Sequence, residues 1–265
     1  MEVAGYVASV LIGITLGLTG GGGSILTMPV LVYLFHVEPS LATAYSLFIV
    51  GTTALVGSVQ RAVKHTVDFK TAIVFAVPGF IAVFLTRSLL VPLIPQNLFF
   101  IGDSLVTKDT AIMLVFAMIM LASAISMIQS KEPDGYADVA SEFNYAMIIV
   151  AGSVVGVITG IVGAGGGFII IPALVLFARL AMRKAVGTSL LIIAVNSLVG
   201  FAGDVRSGQP IDFHFLLLFS LIATGGIFIG NYFSIKLDEK RLKSGFGWFV
   251  LIMGIYIILK ETLFA

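Results

Sequence analysis

The chain contains no cysteine and unusually few charged residues. Only 11% of its 265 residues are Asp, Glu, Lys or Arg, whereas about a quarter of the residues in a soluble domain carry a charge. The absence of cysteine excludes disulfide bonds, thiolate nucleophiles and cysteine-bound metal sites. The shortage of charge extends over both halves of the chain and excludes a soluble globular domain of ordinary composition.

What the chain has instead is a series of long apolar runs without charge. Hydrophobic residues make up 58% of the sequence and the mean hydropathy is +1.11. A bilayer core of about 30 Å requires about 20 apolar helical residues, so we predict an all-α membrane protein with about ten transmembrane segments. The predicted segments are 3–19, 24–36, 41–60, 71–93, 110–129, 145–162, 168–180, 186–202, 214–234 and 246–263.

Segments 24–36 and 168–180 are short, about 20 Å if fully helical. They either cross the bilayer or continue the preceding segment as one broken span. Cytoplasmic loops are enriched in Lys and Arg, and ten crossings place 11 of the 15 Lys and Arg residues on one side of the membrane. Fusing each short segment with its predecessor nearly removes this asymmetry. The sequence therefore predicts ten crossings, with both termini outside.

The two halves of the chain repeat each other. Residues 17–57 align without a gap on residues 160–200, with 14 identities in 41 positions. Because each half holds five segments, an odd number, the second half enters the membrane upside down relative to the first. We therefore predict an inverted repeat of residues 1–129 and 145–265, joined by the polar loop 130–144. Its two glycine-rich turns then approach from opposite faces of the membrane.

Each repeat carries a glycine cluster, at residues 20–23 and 165–167, that interrupts the apolar run. Glycine permits positive φ and lets a ligand approach the backbone, and successive free backbone N–H groups form an anion-binding concavity. A short helix that begins after such a turn directs the positive end of its dipole to the same point. The clusters therefore predict an anion site. The alternative is that these glycines only allow close packing between membrane helices.

Polar side chains recur at equivalent positions inside the apolar segments. Ser46 and Thr53 lie seven residues apart, two helical turns, and so share one helix face, as do Ser189 and Asn196 in the second copy. A buried amide such as that of Asn196 requires several hydrogen-bond partners. For the hydroxyl groups the alternative is a hydrogen bond back to their own helix.

Charged residues are nearly absent from the centres of the segments. Arg87, near the end of the fourth segment, either extends to the lipid headgroups or faces an anion pathway. Without central carboxylates or histidines, a cation pump or proton relay is disfavoured. We predict no metal site, no cofactor and no nucleophile–base pair, and so no enzyme. Asp68 and Asp212 each precede a segment directly and are predicted helix N-caps.

The pattern G-x-x-G-x-G-G-x-x-x-x-x-P occurs twice, at residues 17–29 and 160–172. The stretches 42–46 and 185–189, each of the form A-x-x-x-S, follow it. In these motifs, and over nearly its whole length, the chain resembles the TauE/SafE family of sulfite and organosulfonate exporters. The resemblance implies movement of small sulfur oxyanions or sulfonates across the bacterial inner membrane, coupled to an ion gradient.

The residues and the resemblance together predict a secondary transporter that exports sulfite or an organosulfonate such as sulfoacetate, bound between the two repeats. Its expected partners are this small anion and the lipid bilayer, without nucleic acid, while a coupling proton or ion and a homodimer are left open. The predicted substrate-binding residues are Gly21, Gly22, Gly23, Ser24, Tyr45, Ser46, Thr53, Arg87, Gly165, Gly166, Gly167, Thr188, Ser189 and Asn196.

Unequal halves of the site are expected, because Ser24 and Tyr45 in the first copy correspond to Gly167 and Thr188 in the second. Three alternatives remain open at this point. They are a channel or transporter for another small solute or metal cation, an intramembrane enzyme, and a membrane scaffold or receptor component.

Overall fold

The computed structural model describes residues 2–101, 104–129, 145–234 and 239–263. Within these ranges the chain forms ten helices and one short β-hairpin. Helices α1 to α10 are Glu2–Thr19, Ser24–Tyr33, Pro39–Val63, Phe69–Leu93, Lys108–Gln129, Tyr145–Val162, Gly167–Leu176, Met182–Arg206, Phe213–Phe233 and Glu239–Leu263. In this part of the chain, six helices (α3 to α6, α8 and α9) are long and apolar enough to cross a membrane.

All ten predicted apolar segments coincide with helices. The predicted N-caps are confirmed, because the carboxylate of Asp68 accepts a hydrogen bond from the backbone N–H of Thr71 and that of Asp212 from the N–H of Phe215. The predicted connecting loop 130–144 lies outside the described residues. The local signals of hydropathy and capping were therefore sufficient to place the helices along the chain.

The hairpin between α4 and α5 was not predicted. Strand β1, Asn97–Ile101, pairs antiparallel with strand β2, Ser104–Thr107. Gly102 and Asp103 between two short apolar runs are a turn signal, but the runs are too short to show the periodicity of strands. Only residues 234–238 separate α9 from α10, so the hairpin is an insertion in the first half of the chain.

Helix α4 contains a π-helical turn. It consists of the α-helix Phe69–Leu85, the π-helical segment Thr86–Leu90 and a final turn, Val91–Leu93. π-Helical turns are rare and occur frequently at functional sites. The turn includes Arg87, the charged residue that the sequence placed near the end of this segment.

The lipid-facing side of the fold is visible as exposed apolar stripes. On α4, large apolar residues that are exposed recur at every fourth position, from Phe69 through Ile73 and Val77 to Ile81. Residues four apart lie on one face of a helix. An apolar stripe without polar partners is what a helix presents to hydrocarbon, so α4 turns this side to the bilayer.

Helices of the two halves are interleaved. α1 packs along α9 and α6 packs along α4, so the first helix of each half lies against the fourth helix of the other. The third helices, α3 and α8, pack on each other, as do the fifth helices, α5 and α10. α3 also contacts α9, α8 contacts α4, and the short helices α2 and α7 touch. Each contact named here has its counterpart when the halves are exchanged.

Contacts at small residues give the relative directions of the helices. α1, α3 and α9 run parallel, α4, α6 and α8 run parallel, and the two groups are antiparallel to each other. The contacts that establish this are Gly13–Ala223 and Gly17–Gly230 for α1–α9, Gly57–Ile227 and Arg61–Asn231 for α3–α9, Gly152–Phe75 and Gly160–Thr86 for α6–α4, Gly79–Asn196 and Gly203–Arg87 for α4–α8, and Gly51–Leu198 and Leu47–Gly200 for α3–α8. Because α1 and α3 share one direction, the chain reverses through α2, and it reverses likewise through α7.

Candidate functional site

The two glycine clusters form tight turns at equivalent positions. Gly20 follows α1 and Gly163 follows α6, with φ values of +74° and +72°, which glycine adopts at little cost. The N–H of Gly20 donates to the carbonyl oxygen of Leu16, and that of Gly163 to the carbonyl oxygen of Thr159, both at 2.8 Å. The sequence repeat is therefore also a repeat of backbone conformation.

The two turns lie directly against each other. A Cβ atom added to Gly21 would be 2.6 Å from the carbonyl carbon of Gly167, and one added to Gly167 would be 2.5 Å from the Cα of Gly21. Real side chains do not approach a backbone so closely, so glycine is required here for packing. The predicted binding turns are therefore neighbours, and at Gly21 and Gly167 the packing role of glycine applies.

Both short helices begin at these turns without a side-chain cap among the described residues. α2 follows Gly23, and α7 follows Gly166, whose φ is +68°. The first N–H groups of a helix have no partner within the helix, and they carry the positive end of its dipole. The N–H of Gly22 already donates to Oγ1 of Thr19 at 2.9 Å. The first three N–H groups of α2 donate to the carbonyl oxygens of its own turn, and two early N–H groups of α7 donate to the carbonyl oxygen of Gly166. What both helices direct at the region where the turns meet is therefore the positive end of the helix dipole.

Two of the predicted hydroxyl groups hold the turns in place. Ser24 donates to the carbonyl oxygen of Gly21 at 2.7 Å. Ser189 donates to the carbonyl oxygen of Gly20 at 2.8 Å and so joins the two halves. Ser46, the repeat equivalent of Ser189, is fully buried, and its Oγ has no partner within the described ranges. The same serine is therefore used differently in the two copies.

Tyr45 and Thr188, which occupy one repeat position, make equivalent contacts despite their different chemistry. The backbone N–H of Asp212 donates to the hydroxyl oxygen of Tyr45, and that of Asp68 donates to Oγ1 of Thr188, both at 2.9 Å. Each side chain thereby anchors the residue that caps the fourth helix of the other half. At this position the two repeats therefore differ in the residue, as expected, but make the same kind of contact.

Asn196 lies fully buried between α8 and α4. A Cβ atom added to Gly79 would be 2.8 Å from its Nδ2, so the amide fits the notch that this glycine leaves in α4. Neither polar atom of the Asn196 side chain has a hydrogen-bond partner in the described part of the chain. The adjacent Ser197 also has an unpaired Oγ, 3.2 Å from the Cβ position of Gly165 in the second turn.

We define the central polar group as five buried residues with unpaired polar atoms on α3, α6 and α8, the helices that contact the turns. Its members are Ser46, Thr53, Thr159, Asn196 and Ser197. Leaving a buried polar atom without a hydrogen bond costs about 1–3 kcal/mol, and such atoms are rare in folded proteins. Several together between two packed halves make this group a candidate site.

Arg87 is buried, with 1% of its surface exposed, so the alternative that it extends to the headgroups is wrong. Its Nη1 donates to Oγ1 of Thr43 at 2.7 Å and to Oδ1 of Asp204 at 3.3 Å. Its Nε and Nη2 have no partner among the residues described. These two nitrogens form the side of the guanidinium that binds oxyanions through two parallel hydrogen bonds.

Sequence reasoning missed Asp204 and two members of the central polar group, Thr159 and Ser197. Asp204 follows the charge-free stretch 185–203 and lies two residues beyond the predicted segment 186–202. α8 continues to Arg206, however, which places Asp204 inside the helix with 2% of its surface exposed. Extending the predicted segment by one helical turn, from residue 202 to residue 206, would have included Asp204. Serine and threonine are too common in apolar helices to be singled out without contacts.

A second buried polar cluster occupies the repeat-equivalent place. Arg61 corresponds to Asp204 in the alignment, and Asn231 corresponds to Arg87 after the one-residue insertion before Asp68 and Asp212. Nε of Arg61 donates to Oδ1 of Asn231 at 3.2 Å. We call this the Arg61 cluster; it also contains hydrogen bonds from Nη2 of Arg61 to Gly17 and Ser234 and from Asn231 to Gln60. Each polar pair joins the third helix of one half to the fourth helix of the other.

Interleaved apolar helices, touching glycine turns and a buried polar group between two halves define a multi-pass membrane transporter. The chain belongs to the sulfite exporter TauE/SafE family, whose model matches residues 6–257. The family predicted from the repeated motif is thus confirmed.

Similar proteins carry the same general description. A probable membrane transporter protein of Xylella fastidiosa (strain 9a5c) is 28% identical, over 94% of this chain and 91% of that protein. A probable membrane transporter protein of Methanocaldococcus jannaschii is 23% identical, over 94% and 92% of the two chains. Probable membrane transporter protein YdhB of Bacillus subtilis is 25% identical, over 94% and 96%. No solved structure matches the chain.

Proposed function

We propose that the protein is a secondary transporter that exports small sulfur-containing anions, sulfite or organosulfonates such as sulfoacetate, across the bacterial inner membrane. The anion binds between two inverted five-helix repeats, where the glycine turns meet the central polar group. Membership of the sulfite exporter family supports the class of substrate. The buried side chains described above support the place where it binds.

The inverted repeat is supported by the directions and contacts of the helices. α1, α3 and α9 run against α4, α6 and α8, and the packing partners exchange when the halves are exchanged. Chain reversal at α2 and α7 favours ten crossings over eight. Inverted repeats of this kind form transport sites at their interface, with short helices whose N-termini face an anionic group.

The main support for an anionic substrate is the unpaired edge of the Arg87 guanidinium. A guanidinium keeps its positive charge in proteins, and a buried charge without full pairing is costly. Nε and Nη2 of Arg87 remain free while Nη1 is held by Thr43 and Asp204. A sulfonate or sulfite presents two oxygens that match this edge, which a halide or a metal cation does not.

Neutral donors of the central polar group would complete the oxygen shell. Arg87 and Asn196 both lie at the interface between α4 and α8, because Gly203 of α8 packs on Arg87 and Gly79 of α4 packs on Asn196. On α4, Gly79 and Arg87 are eight residues apart, about 12 Å along the helix axis. We propose that the anion passes along this interface between Arg87 and Asn196. Ser46 and Thr53, whose hydroxyl groups are unpaired, donate along the way.

The remaining predicted site residues have supporting roles in this proposal. Ser24, Tyr45, Thr188 and Ser189 already bond to backbone groups of the turns or of the helix starts. They position the turns and leave direct binding to the unpaired side chains.

Flux into liposomes tests the proposal. Purified protein is reconstituted and the uptake of sulfite, sulfoacetate, sulfate and Na⁺ is measured in parallel. We expect saturable flux of a sulfur oxyanion that Arg87→Lys lowers strongly and that Arg206→Lys, at an exposed arginine, leaves unchanged. Strong flux of Na⁺ or another cation, with none for any sulfur anion, would instead support a cation transporter or channel and refute the proposed substrate.

A further inference from the structure

The ion pair between Arg87 and Asp204 is incomplete on both sides. Only Oδ1 of Asp204 contacts the guanidinium, at 3.3 Å, and its Oδ2 has no partner in the part of the chain that the structure describes. Arg87 likewise uses Nη1 alone. A saturated structural pair would engage both carboxylate oxygens with two guanidinium nitrogens. The geometry instead leaves each partner able to accept a second ligand.

The charges around Asp204 come from two neighbouring helices. Arg87 on α4 is in direct contact, and Lys108 at the start of α5 acts through space. The ammonium of Lys108 is held by the carbonyl oxygen of Val91 at 2.7 Å. From α3 the neighbouring group is the neutral hydroxyl of Thr43 on Arg87. A second acid, Asp109, follows Lys108 in the chain and also interacts with its charge, while its Oδ1 accepts a hydrogen bond from the N–H of Ser40. Asp204 is thus the acid in direct contact with Arg87.

We propose that Asp204 takes up one proton when an oxyanion occupies the free edge of Arg87, so that anion and proton cross the membrane together. This inference rests on the proposed anion transport. Two anionic groups that share one buried guanidinium repel each other strongly, because the surrounding dielectric is low. A proton from water added to the free Oδ2 converts the carboxylate to a neutral acid and removes that repulsion.

The Arg61 cluster occupies the repeat-equivalent place but lacks the carboxylate that would take up a proton. Arg61 replaces Asp204 and Asn231 replaces Arg87, so the equivalent contact joins a cation to a neutral amide. Nothing in that contact can take up a proton near neutral pH. The two equivalent contacts, similar in position, therefore differ in proton chemistry, because only one of them contains a carboxylate.

Paired anion and proton fluxes test the proposal. Proteoliposomes with a pH dye inside and the membrane potential clamped receive sulfoacetate, which exchanges no proton near neutral pH. The wild-type protein should carry about one proton inward with each anion. Asp204→Asn should move sulfoacetate with proton flux reduced at least tenfold. Asp212→Asn is the matched control, because this exposed carboxylate only caps α9, and it should keep full coupling.

The outcomes separate the two proposals. No sulfoacetate or sulfite flux in the wild-type protein refutes the proposed function itself. Anion flux without protons in the wild type, or unchanged proton flux in a folded Asp204→Asn protein, refutes only the role of Asp204. If Asp204→Asn fails to insert, Asp204→Glu decides. In this variant proton flux should still accompany sulfoacetate, but the pH at which the coupled flux is half-maximal should shift. A half-maximal pH equal to that of the wild type counts against the proposal.

Discussion

Replacing Arg87 by lysine separates anion recognition from charge. Lysine keeps the positive charge and can still donate to Thr43 and Asp204, but it has no pair of parallel N–H groups for two oxygens. A hydrogen bond to a charged group contributes about 1.5–3 kcal/mol. Losing the free edge of Arg87, with partial compensation by the ammonium, should therefore weaken binding by about 3 kcal/mol, roughly 150-fold in affinity.

Titration calorimetry with sulfoacetate on the purified protein measures this difference directly. Arg206→Lys serves as the control, because Arg206 is exposed at the end of the same helix that carries Asp204. Thermal unfolding of each variant shows whether the fold persists. If Arg87→Lys binds within threefold of the wild type, the unpaired nitrogens do not hold the anion. A lowered melting temperature with unchanged affinity would mean that Arg87 is purely structural.

Three further predictions address single residues. Asn196→Ala should weaken anion binding by about 1–3 kcal/mol, since the amide has no other hydrogen-bond partner among the described residues; calorimetry showing unchanged affinity contradicts this. Gly166→Ala should lower the melting temperature markedly, because φ is +68° and the added Cβ meets Oγ1 of Thr159; a wild-type melting temperature would be unexpected. Tyr45→Phe should cost about 1 kcal/mol of stability through the lost contact to Asp212, with anion affinity preserved, and a large loss of affinity would make Tyr45 a direct ligand.

Local patterns in the sequence were sufficient for the helices but not for the hairpin. Hydropathy placed ten segments, and the acids Asp68 and Asp212 marked the start of two of them, because capping depends only on residues three positions away. The strands Asn97–Ile101 and Ser104–Thr107 were overlooked because each has five residues or fewer. Such short runs carry little periodicity, so their pairing is visible only in the structure.

For the candidate site, too, the sequence identified residues but not their contacts. Repetition in the sequence identified the glycine turns, Asn196 and Ser46 as special. It could not show that Tyr45 and Thr188 already hold backbone groups of the opposite half, because those partners lie more than a hundred residues away. A polar residue that is satisfied and one that is free look alike until its neighbours are known.

The sequence by itself determined that this is a duplicated helical membrane protein of the sulfite exporter family, because hydropathy and repeated motifs are properties of the chain. Only the tertiary structure decided that Gly21 meets Gly167 and that Arg87 meets Asp204. Such contacts depend on which helices pack and on their register, to which no local signal refers. One residue of register separates a buried ion pair from two charges facing lipid.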